Sequence, residues 1–107
     1  MATEVRHNPD QSRYEVFTDE QLAGFAQYLL EDGRITVFHT EIHPVYEGTG
    51  LAGTLARGVL EDARAQDLAV EPLCPFMLGY IRRHRDQYLD LVIPTMRDEV
   101  TSGGGAV

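Results

Sequence analysis

The stretch that most limits how this chain can fold is residues 39–64, HTEIHPVYEGTGLAGTLARGVLEDAR, because the spacing of its apolar residues changes partway along. Up to Pro44 the pattern alternates, as a strand requires. Ile35, Val37, His39, Glu41 and His43 are predicted on one face, and Thr36, Phe38, Thr40 and Ile42 on the other. From Leu51 the period is helical, with Leu51, Leu55, Val59, Leu60 and Ala63 on one stripe and Arg57, Glu61, Asp62 and Arg64 opposite. Pro44 ends the strand, and Glu47-Gly48-Thr49-Gly50 carries the chain into the helix. A strand that feeds an amphipathic helix needs a sheet beside it and an apolar surface beneath the helix, which is an α+β arrangement.

The flanking sequence fills in that arrangement. RYEVFTDEQ and LAGFAQYLLEDG read as a hairpin, and the turn EDGR, with Gly33 available for positive φ, leads into the strand described above. These three strands are predicted to form an antiparallel meander. After the helix, LAVEPLCPF reads as a short strand reached by a helical crossover, and FMLGYIRRH as a second, shorter helix. The order is βββαβα: a small mixed sheet with two helices. Residues 1–12 lack a hydrophobic period and 98–107 end in GGGAV, so both ends are expected to be loose around a single domain over residues 13–97.

Composition removes several kinds of chemistry. All nine basic residues are arginine, so a P-loop lysine, a Schiff-base lysine and a lysine general base are absent. Cys74 is the one cysteine, which rules out an internal disulfide and a cysteine-rich zinc site. A formal net charge of −8 disfavours nucleic acid and anionic membrane surfaces as partners. No apolar run approaches the roughly 20 residues of a membrane span, and the start has no apolar signal centre, so a cytoplasmic location is the expectation. His39, Glu41 and His43 alternate along one strand and point along a line, so no metal site is expected from them. Nothing in these residues sets an oligomeric state.

The glycine turn suggests a ligand. The first amides of a helix have no intrahelical partners and point outward with the positive end of the helix dipole, and glycines let an anion approach the backbone. Gly48 and Gly50 fit an anion cradle or, alternatively, shape a tight turn and nothing more. The motif lacks a P-loop lysine, and the chain lacks the opening βαβ unit of a dinucleotide site.

Across roughly residues 13–92, and most specifically in HTEIHPVYEGTGLAGTLARGVLEDAR and VEPLCPFMLGYIRRH, the sequence resembles the GNAT superfamily of acetyl-CoA-dependent N-acetyltransferases, in particular its short single-domain YjdJ-like branch. The resemblance implies a GNAT-like fold and a pyrophosphate cradle at Glu47, Gly48, Thr49, Gly50, Leu51 and Ala52, with backbone amides holding acetyl-CoA. Glu47 stands where the superfamily carries Gln or Arg. The implied activity is acetyl transfer to a small-molecule or protein amine; a non-catalytic coenzyme-binding or interaction module on the same fold is the alternative.

Amine acetylation needs a base for the acceptor nitrogen and a proton for the leaving thiolate. Glu41 and His39, on the strand before the cradle, are candidate bases; otherwise they are a solvated carboxylate and a structural histidine. Tyr80 lies about where the resemblance places a general acid, or is a half-buried aromatic. Cys74 is either a buried small side chain or an acyl relay near the thioester. Arg82, Arg83, His84 and Arg85 form a basic run, either a solvated helix face or a contact for coenzyme phosphates.

Overall fold

In the computed structural model, which describes residues 2–102, the backbone forms one five-stranded sheet with helices packed on one side. The strands are β1 (Thr3–Asn8), β2 (Arg13–Thr18), β3 (Gln21–Glu31), β4 (Arg34–Ile42) and β5 (Ala69–Pro72), in spatial order β1-β2-β3-β4-β5. The first four pair antiparallel, as a meander; β4 and β5 pair parallel across the crossover helix α1 (Leu51–Ala65). Three further helices follow: α2 (Pro75–Arg83), α3 (Arg85–Tyr88) and α4 (Arg97–Ser102). The expected α+β class with a mixed sheet is what the chain adopts, with one strand and two short helices more than the sequence pattern predicted.

The additions are at the ends. Thr3–Asn8, expected to be loose, pair along their length with β2, from Thr3 opposite Thr18 to Asn8 opposite Arg13. Polar residues hide this strand from a hydrophobic-period reading, because β1 is the sheet edge and only Val5 and Asn8 are half-buried. Val5 packs onto α1 at Gly58, where a Cβ would lie 2.9 Å from Val5 Cγ1, so the bare helix position lets the edge strand dock. At the other end, Arg82 Nε donates to Glu99 O at 2.9 Å and Arg85 donates to Thr101 O at 3.2 Å. These arginines cap the last carbonyls of α4, whose Val100 is fully buried. Residues 103–107 of the expected tail lie outside the described residues.

The core is the interface between the sheet and α1. Leu51, Leu55, Ala56, Val59, Leu60 and Ala63 are buried on one helical stripe, as the period predicts, against Tyr14, Val16, Ala26, Ile35 and Val37 of the sheet. Burying one such aliphatic side chain stabilises by about 1.5–3 kcal/mol, so this stripe fixes the helix on the sheet. Tyr14 and Tyr88 add polar ties: the Tyr14 hydroxyl donates to Asp62 Oδ2, and the Tyr88 hydroxyl donates to Glu61 Oε2 at 2.7 Å. The two-residue turn Asp19-Glu20 holds both φ angles positive, at 50° and 71°, the conformation that matches the twist of a tight hairpin.

One feature of β4 departs from simple alternation. Gln27 lies opposite His39 and Tyr28 opposite Val37, so Phe38 has no partner on β3 and forms a bulge. A bulge advances the chain by one residue and exchanges the two faces beyond it. Ile35 and Val37 therefore share the helix-facing side with Thr40 and Ile42, not with His39 and Glu41 as strict alternation predicted. The latter two project from the opposite, open face of the sheet, where the His39 ring lies 6.1 Å from that of Phe25.

Candidate functional site

The bulge and two prolines together open the sheet. The β4–β5 pairing runs from Arg34 opposite Ala69 to Val37 opposite Pro72 and then stops. Pro72 has no N–H to continue the ladder, and the following amides of Leu73 and Cys74 both donate to Val37 O at 3.0 Å as the chain turns away. Pro75 then occupies the first turn of α2, where a missing N–H costs nothing. Beyond Val37, β4 has β3 on one side and, among the described residues, no strand on the other. Its outer backbone edge is therefore available to a ligand in extended conformation.

That edge leads to the glycine turn. His43 accepts from Val45 N–H through its Nδ1 at 3.3 Å and starts a 3-10 turn over Pro44–Tyr46, so it serves as a turn residue. Gly48 and Gly50 have φ of 79° and 85°, a left-handed conformation that other residues adopt at a cost. A Cβ built on either would meet nothing within 4 Å, so the space above the turn is open. The first bond of α1 runs from Thr54 N–H to Gly50 O at 3.2 Å, which leaves the amides of Leu51, Ala52 and Gly53 ahead of the helical ladder. The exposed Thr49 donates its hydroxyl to Tyr46 O within the turn.

These pieces surround an open cleft of about 460 Å³ lined by Thr40, Glu41, Ile42 and Tyr46 together with Glu47, Gly48, Gly50, Leu51 and Ala52. Five of the six residues expected at the cradle therefore lie on one cleft; Thr49 is not on its wall. Its charged side chains, among the described residues, are the carboxylates Glu41 and Glu47, so an anion there would depend on backbone N–H groups and the helix dipole. The turn thus has what a pyrophosphate group requires: bare backbone, unladdered amides and clear space above them.

The catalytic candidates are spread around this cleft. Glu41 lines it, and its carboxylate lies 3.2 Å from His39 Nε2; both side chains are about half exposed or more. Cys74 is buried at the end of β5, its Sγ 3.3 Å from Thr40 Oγ1, which places the thiol against the inner wall where β4 and β5 diverge. Tyr80 is buried, stacks on His84 with ring centroids 4.2 Å apart, and has its ring edge 3.6 Å from where a Cβ of Gly53 would stand. It packs on the first turn of α1 and does not line the cleft. The basic run is divided: Arg82 and Arg85 hold α4, and His84 is bound to Tyr80 O at 2.9 Å.

Thr40, Ile42 and Tyr46 line the cleft without having been singled out by the sequence. The signal for Thr40 is the bulge at Phe38, which no side-chain pattern announces. Tyr46 could have been suspected from its place in the loop before the glycines; its hydroxyl bonds Gln21 Oε1 at 3.1 Å and holds the loop against β3.

Comparison with known proteins agrees with the geometry. The family model GCN5-related N-acetyl-transferase matches residues 13–91. Among solved structures, the NMR structure of a GCN5-like protein from Staphylococcus aureus superposes with a TM-score of 0.56 at 19% identity, covering 84% of this chain and 87% of that one. That likeness is one of fold. No curated protein matches the chain. A sheet that parts beside a glycine-entered helix, together with a family match extending from β2 through α3, leads to one conclusion: the chain belongs to the GCN5-related N-acetyl-transferase family and is an acyltransferase.

Proposed function

We propose that the chain is an acetyl-CoA-dependent N-acetyltransferase whose acceptor amine attacks directly. The observation that carries this reading is the single cleft in which the unladdered amides of α1, the unpaired edge of β4 and the Glu41 carboxylate meet. The amides at residues 50–53 would hold the pyrophosphate, and the β4 edge past Val37 would take the extended arm. When bound, the coenzyme supplies a thioester activated for acyl transfer.

The chain's own residues then manage protons. An alkylammonium becoming an amide gives up two: one ends on the coenzyme sulfur and one in solvent. In this scheme Glu41, 3.2 Å from His39 Nε2, takes a proton from the acceptor ammonium on the open face. Tyr80 of α2, packed against the first turn of α1, is the proposed donor to the sulfur. Cys74 is held against Thr40 in a buried pocket and acts as packing in this scheme.

Free-thiol release from acetyl-CoA with a panel of amines tests the reading, beside calorimetric binding of the same coenzyme. Glu41→Gln and Tyr80→Phe are expected to slow turnover by about 10²-fold with binding preserved, and Cys74→Ala to leave turnover largely intact. An acetyl group on Cys74 that forms and decays at the turnover rate would instead establish a relay. Glu47 in the cleft favours a second reading, a coenzyme-binding module without turnover; tight binding with no thiol release for any amine would select it.

A further inference from the structure

We propose that the acceptor is a small primary amine with a compact apolar body, bound as its ammonium in a groove on the open face of the sheet beside Glu41; this rests on the acetyltransferase reading above. The groove, of about 200 Å³, is lined by Leu22, Phe25, Glu41 and Pro44; Glu41 and Ile42 also border the coenzyme cleft, Ile42 with its side chain on the helix-facing side. Both spaces border the end of β4, the strand that carries the Glu41 carboxylate. A ligand in the groove reaches the cleft past Glu41, which is where an amine must lose its proton to attack.

Each wall constrains the ligand. Leu22 is 42% exposed, so an apolar group laid on it removes surface from water. The carboxylate of Glu41 is 62% exposed and has His39 as its neighbour, leaving room for an incoming ammonium. A carboxylate on the acceptor would sit against Glu41 in a protein of net charge −8, so amino acids are disfavoured. At about 30 Å³ per non-hydrogen atom, the groove holds roughly six such atoms, the size of a five-carbon amine. It suits a whole small molecule better than a protein segment.

The test follows the Leu22 methyl and Phe25 ring resonances of the protein carrying coenzyme A in its free-thiol form, titrated with isopentylamine, ethylamine, leucine and a blocked lysine peptide. Isopentylamine should shift both sets of resonances and bind about 10-fold more tightly than ethylamine, with leucine and the peptide weaker still. Leu22→Ser should abolish the preference for isopentylamine while leaving the coenzyme titration and the thermal midpoint unchanged. Equal binding of the two alkylamines, binding of leucine as tight as isopentylamine, or tighter binding of the peptide would overturn the assignment. The ligand class is decided by these resonance shifts without turnover, whereas the acetyltransferase reading is decided by thiol release, so failure of one is distinguishable from failure of the other.

Discussion

At Gly50 two demands on one residue coincide. Its φ of 85° and ψ of 1° start α1 from the left-handed region, and its missing side chain leaves the amides of the first turn approachable. Gly50→Ala should cost about 1–2 kcal/mol of stability through backbone conformation, since no atom within 4 Å would clash with the new methyl. The same methyl should weaken acetyl-CoA binding by about 10-fold, measured by calorimetry on the folded variant. Glu47 works in the opposite direction. It is an exposed carboxylate on the wall of a cleft proposed to hold a pyrophosphate, so Glu47→Gln should tighten coenzyme binding by about 0.5–1 kcal/mol at low salt and by less at high salt. Binding that is unchanged or weaker would mean that the side chain and the phosphates do not face each other.

Among the elements, α1 bears most of the structure: it buries the core stripe, starts at the glycine turn and accepts hydrogen bonds from two tyrosines. Burial and the hydrogen bond to Glu61 push the Tyr88 hydroxyl up to about 12, and burial with the bond to Asp62 raises that of Tyr14 further. Both groups hold their protons in the folded state above the pH where an unfolded tyrosine, near 10, releases them. Their contribution is whole below pH 10 and declines above it, by at most about 1.4 kcal/mol per pH unit per tyrosine; for Tyr88 the decline spans pH 10 to 12. Urea unfolding at pH 8, 10 and 11 should show this fall, and Tyr88→Phe should remove one share of the slope. Little of this was legible beforehand: the stripe of α1 was readable from its period, but Asp62 and Glu61 looked like parts of a solvated face. Which exposed carboxylate meets a tyrosine from a distant strand or helix is set by packing, not by local spacing.

For the whole molecule, the order of elements and the place of the glycine turn were legible because periodicity and turn residues report them directly. The face assignment of His39 and Glu41 relative to Val37 was not, because one unpaired residue at Phe38 inverts alternation and Phe38 itself fits a regular strand. Strand β1 was hidden for a related reason: an edge strand needs backbone partners more than apolar side chains. The cleft likewise depends on where β4 and β5 stop pairing, a property of two segments about 35 residues apart in sequence. What unites these features is an exposed stretch of backbone in an acidic protein with no lysine, the surface to which the proposed coenzyme site is assigned. The most direct measurement is an amide chemical-shift titration with acetyl-CoA. The account predicts that the largest shifts fall on Gly48, Gly50, Leu51, Ala52 and Gly53, with smaller ones along residues 38–42 of β4. Largest shifts on Arg82–Arg85, or none at the glycine turn at saturating coenzyme, would contradict it.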